Sequence, residues 1–321
     1  MRNRLAGFLG LGLAVALVAG GAVWYRYVPA SVASDASPVG TASSSSSNLD
    51  ILPLPPEMPR LADGPDYDRC LTMLRSDPEE AMRFAQAWDA TGGGDGARHC
   101  VALAMIGLGE PDKAAERLER LGNGTHAGGV ARAAVFGQAA QAWMMAGDAN
   151  RAFGAVTIAL TLAPQDPELL VDRSVVLASL RRFDDAIQDL DAALAIEPDR
   201  AEAWVLRAAA LRRLERVDQA VQAVERGLVL APDNVEGLLE RGILRQLRGD
   251  AMGARGDWQR AIELQPDSMA ADLAAQNLQL SEMGPAAAQS APGIPSQRQM
   301  GPGLRPTGPA AGAPAPAQRR P

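Results

Sequence analysis

The chain has 321 residues, of which 47% are hydrophobic, 21% charged and only 4% aromatic, and its formal net charge is −7. That surplus of carboxylates argues against nucleic acid as a partner, because phosphate binding needs surplus cations. Two His and two Cys without a Cys-x-x-Cys exclude an all-cysteine zinc site, and a mixed site would need both pairs to converge.

Arg2 and Arg4 precede an uncharged run over residues 5–25, which Arg26 closes. As a helix the run would extend about 31 Å at ~1.5 Å per residue, enough for a hydrocarbon core of ~30 Å. Trp24, Tyr25 and Tyr27 gather at its far end, where amphipathic rings favour the membrane interface. Residues 1–28 are therefore expected to anchor the chain, single-pass, with a cytoplasmic N-terminus and an exported body. The alternative is a signal peptide cleaved near Ser31-Val32-Ala33, releasing the body into the periplasm. Residues 29–65, with Ser43 to Ser47 in a row and Pro53, Pro55, Pro56 and Pro59, read as a disordered linker.

Ser76-Asp77-Pro78-Glu79-Glu80-Ala81 and Gly109-Glu110-Pro111-Asp112-Lys113-Ala114 each have the form of a turn into a second helix. They place two degenerate helical pairs near 66–90 and 95–121, within residues 66–132. Cys70 and Cys100 lie on the first helices of these pairs. In an oxidising compartment they could form a disulfide, and closing a loop of roughly 30 residues would contribute about 3–4 kcal/mol. Two buried thiols acting as small hydrophobes is the competing reading.

Residues 133–268 repeat. Pro164, Pro198, Pro232 and Pro266 are 34 apart, as are Ala152, Ala186, Ala220 and Ala254. Val156, Leu190, Val224 and Trp258 keep the same register, as do Phe136, Leu170, Trp204 and Leu238. Proline ends each second helix because it lacks an N–H and clashes with the preceding turn. Asp166, Asn234 and Ser268 then stand where N-caps belong. Neither helix of a unit can bury its apolar stripe alone, so neighbouring units must stack.

These residues resemble the tetratricopeptide repeat family. In the first unit the family pattern falls on Phe136, Ala140, Trp143, Ala152, Val156, Ala159 and Pro164, and in the last on Leu238, Gly242, Arg245, Ala254, Trp258, Ala261 and Pro266. Arg245 stands where the family has a large apolar residue, so looser packing is expected there. The resemblance implies an all-α, right-handed α-solenoid of about six helix-turn-helix repeats, four clear and two degenerate. Residues 269–280 would form its capping helix and residues 281–321, rich in Pro, Ala and Gly, a disordered tail. Arg173 with Asp189, and Arg241 with Asp257, are placed to bridge the two helices of their units.

The resemblance also implies that first helices line a concave face. Its inward positions include Val171, Val175, Val205, Leu239 and Ile243, an apolar floor flanked by Glu168, Glu202, Glu236, Arg212 and Arg213. An apolar patch rimmed by charge marks an interaction surface, so an apolar or amphipathic peptide is expected there, by helix-in-groove docking. No cationic clamp for a C-terminal carboxylate is legible. Residues 66–280 carry 33 acidic and 23 basic side chains against a basic tail, so the tail could itself occlude the groove.

No Gly-x-Ser-x-Gly, phosphate-loop or His-Glu-x-x-His motif occurs. The expectation is a non-enzymatic protein-binding scaffold with no cofactor, metal or small-molecule substrate. The chain also resembles membrane-anchored bacterial repeat proteins, which leaves two alternatives: a chaperone-like factor for envelope or cytochrome c maturation, and a regulatory subunit of an envelope enzyme.

Overall fold

The computed structural model describes residues 60–282. The expected anchor, most of the linker and the tail beyond Glu282 lie outside the described residues. Thirteen α-helices and no strand occur among the described residues. The two N-terminal pairs are α1 (Pro65–Ser76) with α2 (Pro78–Ala90), and α3 (Gly94–Gly107) with α4 (Pro111–Gly124). The regular pairs are α5 (Gly129–Met145) with α6 (Ala149–Leu162), α7 (Pro167–Ser179) with α8 (Phe183–Ile196), α9 (Ala201–Arg213) with α10 (Val217–Leu230), and α11 (Val235–Leu247) with α12 (Ala251–Leu264). The last helix, α13 (Met269–Glu282), runs two residues past the expected cap, and α5 begins four residues before the expected unit. The compact unit that holds the repeats ends at Asn277.

The 34-residue period sets each boundary. Helices α6, α8, α10 and α12 all stop two residues before their proline. Asp166 accepts from the N–H groups of Glu168 and Leu169 at 3.0 and 3.2 Å, Asn234 from Gly237 at 2.6 Å and Ser268 from Ala271 at 3.1 Å. Each cap satisfies donors that the first turn leaves orphaned. The turn inside each unit needs one left-handed residue, and it is Gly147 (φ 81°), Arg181 (61°), Glu215 (60°) and Gly249 (86°) in successive units. Two units thus use glycine and two accept the cost of a side chain there.

Packing repeats in the same way. Ala152, Ala186, Ala220 and Ala254 are all buried, and each lets its helix approach the first helix of its unit. At Gly242 the Trp258 indole lies so close that a Cβ would collide with it, and Trp258 Nε1 donates to the Leu239 carbonyl at 3.3 Å. The expected bridges are present: Arg173 to Asp189 at 2.7 and 2.6 Å, and Arg241 to Asp257 at 2.9 and 2.7 Å. Arg245 does not leave a loose site, because its guanidinium turns to Asp257 at 2.8 Å and to the Gly253 carbonyl at 3.2 Å. A second charge-assisted bond replaces the apolar contact of the other units.

The N-terminal pairs are held differently. Cys70 on α1 and Cys100 on α3 are fully buried, with Cα atoms 6.3 Å apart and their sulfurs in bonding contact. Such a Cα separation lies within the range a disulfide allows. Beside them His99 Nδ1 meets the Tyr67 hydroxyl at 2.6 Å and His99 Nε2 meets Gln138 Oε1 at 2.5 Å. This chain links α1, α3 and α5. Burial lowers the His99 pKa, and burial pushes the Tyr67 phenol up to about 12, so the trio is held neutral.

Candidate functional site

The expected groove residues separate into covered and open rows. Val171 and Val205 do not form an open floor: they are 3% and 6% exposed. The reason is that this register faces the neighbouring helices. Val205 fills a socket left by two missing side chains, since a Cβ on Gly227 of α10 or Gly237 of α11 would stand 2.9 or 3.1 Å from Val205 Cγ2. Val171 belongs to the same buried apolar cluster as Leu160, Leu170, Leu190 and Leu194. Gly137, one unit earlier, is covered by Leu169 in the same manner. Leu239, in the last regular unit, stays part-exposed.

Four residues further along each first helix the row is open. Gln141, Val175, Ala209 and Ile243 are all part-exposed, and three of the four are apolar. Toward the helix N-termini lie the carboxylates: Glu168 is exposed, and Glu202 and Glu236 are part-exposed. Toward the C-termini, Arg212 pairs bidentately with Glu240 of α11 at 2.5 and 3.0 Å, whereas Arg213 is exposed. Burial, together with the nearby charges of Arg212 and Arg181, lowers the Arg213 pKa. The face therefore runs from an acidic edge across an apolar row to a basic edge.

Three residues that the sequence reading left out complete this face. Arg200 occupies the register of Asp166, Asn234 and Ser268 but makes no cap. Its guanidinium instead pairs with Glu168, with Glu197 at 3.2 Å and with Glu202 at 3.7 Å. Asp172 accepts from Gln141 Nε2 at 3.0 Å. Burial, reinforced by Glu168, pushes the Asp172 carboxyl up to about 7, and burial also raises that of Glu202. Both Arg200 and the third residue, Glu240, were traceable by register: Arg200 breaks the cap series, and Glu240 stands 68 residues, two periods, after Asp172.

Among the described residues no cluster of three or more His, Cys, Asp or Glu is arranged to hold a metal ion, and no helix is long and apolar enough to cross a membrane.

Residues 141–210 and 206–279 match the family model described as Tetratricopeptide repeat. Among solved structures, the chain is similar to the crystal structure of the APC/C hetero-tetramer Cut9–Hcn1, with 19% identity and a TM-score of 0.53 over 66% of this chain. It spans 42% of that chain's length. It is also similar to the structure of pilF from Pseudomonas aeruginosa, with 17% identity and a TM-score of 0.53, covering 67% of this chain and 95% of that one. At such identities the likeness is one of fold. Comparison with curated proteins finds no match. The family match over the paired helices, together with these folds, supports the tetratricopeptide repeat as the family of this array.

Proposed function

We propose that the chain is a non-enzymatic adaptor that takes an apolar or amphipathic segment of another protein on its first-helix face. The tetratricopeptide repeat is a protein-binding scaffold, and the observation that carries the finer reading is the open row of Val175, Ala209 and Ile243 with Leu239 beside it. These side chains lie between opposite charges, as at docking surfaces with an apolar centre and a polar rim. Residues 1–28 tether the array to the inner membrane, with the body in the periplasm. The uncharged run over 5–25 and its flanking arginines support that placement, as does the approach of Cys70 and Cys100 to disulfide distance.

The test is a pull-down from crosslinked native membranes. Ile243→Asp and Leu239→Asp should each lose the partner and keep the helical circular dichroism of the parent, since both positions are part-exposed. Val205→Asp is unsuitable because it would bury a charge. A partner retained by the Ile243→Asp, Leu239→Asp double variant contradicts the docking face. Alkylation of the unreduced, denatured chain should add no mass, and added mass on both cysteines would argue against the oxidising compartment.

A further inference from the structure

We propose that the occupant of the first-helix face is a cationic amphipathic segment, with its apolar stripe on Val175, Leu239 and Ile243 and its Lys/Arg flank on Glu168, Glu202 and Glu236. The inference rests on the docking function above and adds the chemistry of the partner.

The apolar row is part-exposed in successive units, so it calls for an apolar stripe rather than a polar tail. Charge complementarity then selects the flank. One carboxylate per unit, at intervals of 34 residues, forms an edge along α7, α9 and α11. Arg200 is the cation paired with that edge, and it is shared among Glu168, Glu197 and Glu202. Most other arginines of these helices are committed elsewhere: Arg173 to Asp189, Arg207 to Asp191, Arg212 to Glu240, and both Arg241 and Arg245 to Asp257. Glu236 has no ion pair among the described residues. The edge therefore keeps a surplus of negative charge that burial is already making costly at Glu202 and Asp172. An incoming ammonium or guanidinium relieves that cost. On the opposite edge Arg181 and Arg213 are exposed and carry no ion pair among the described residues, so a segment with basic groups on both flanks is disfavoured. The basic groups lie on one flank.

A pH dependence follows. The groups facing Asp172 are Gln141 from α5, Glu168 on its own helix, and Arg200 and Glu202 at the start of α9. With its carboxyl at about 7, Asp172 is partly protonated in the free protein near neutrality. A cationic flank favours the ionised form, so binding expels a proton and tightens as pH rises from about 6 to about 8.

The experiment is fluorescence anisotropy on the full-length chain in detergent solution at low salt. The probe is a labelled helical peptide of about 18 residues, roughly five turns, with a Leu stripe, Lys on one flank and Ser on the other. It should bind at least about tenfold more tightly than its twin with Glu in place of Lys, weaken with salt and strengthen with pH. The double change Glu202→Gln, Glu236→Gln should weaken it by about tenfold, Ile243→Asp should abolish binding, and Glu225→Gln on α10 should leave it unchanged. Asp172→Asn should flatten the pH profile. Equal binding of the Glu twin would overturn the cationic assignment and leave the docking face standing. Binding that survives Ile243→Asp would overturn both, as would self-association of the chain through Ile243 in place of peptide binding.

Discussion

The two N-terminal helical pairs and the four that follow share an architecture and are held together by different means. In α5–α12 each unit repeats the same devices: a proline stop, a left-handed turn residue, a small residue at the helix crossing and, in two units, an Arg–Asp bridge 16 residues apart. In α1–α4 those devices thin out. The pairs depend instead on the Cys70–Cys100 contact, the Tyr67–His99–Gln138 chain and an aromatic group in which Trp88 lies 6.5 Å from Tyr67 and 6.1 Å from Phe84. In a stacked array stability is close to a sum of local terms, so a unit that loses the repeat's register must recover cohesion from its own contacts.

The comparison can be broken most directly at sulfur. The double change Cys70→Ala, Cys100→Ala should cost about 3–4 kcal/mol, with faster hydrogen exchange confined to α1–α4. Equal loss of protection in α9–α12 would mean that the two regions are one cooperative block. In the array, Asp257→Ala should cost about 2 kcal/mol by denaturant unfolding, because the buried carboxylate it removes holds both Arg241 and Arg245, whose guanidiniums are themselves part-exposed. Asp189→Ala strands Arg173 alone and should cost less.

Asp172→Asn should act in the opposite direction. Its carboxyl stands near 7 in the folded chain and near 4 in an unfolded one, so the stability it contributes is present below about pH 4 and is lost as pH rises through about 7. At pH 8 the asparagine variant should melt about 2–4 °C higher, roughly 1 kcal/mol, and the two chains should converge in acid. The smallest effect belongs to the turns. Glu215→Gly relieves a left-handed backbone at φ 60° and should stabilise by about 0.5 kcal/mol. Gly147→Ala at φ 81° should destabilise by about 1 kcal/mol.

Much of the fold was legible because its determinants are periodic. The prolines, the caps at Asp166, Asn234 and Ser268, and the Arg173–Asp189 and Arg241–Asp257 bridges all follow from residues 34 or 16 apart. The site was half legible. Val175, Leu239 and Ile243 lie on the open face, whereas Val171 and Val205, identical in character, are sealed. What seals Val205 is the small size of residues on other helices, Gly227 and Gly237, and no pattern within α9 reports that. Asp172 and Arg200 escaped notice for a related reason: each looks like an ordinary surface charge until the neighbouring unit is stacked against it.

Site-specific photocrosslinking in native membranes tests the docking face most directly. A photoreactive residue at position 243 on the first-helix face should capture a discrete partner, and the same group at position 229, a valine 69% exposed on the second helix α10, should not. Equal capture at both positions, or capture at 229 alone, would contradict the assignment of binding to the first helices.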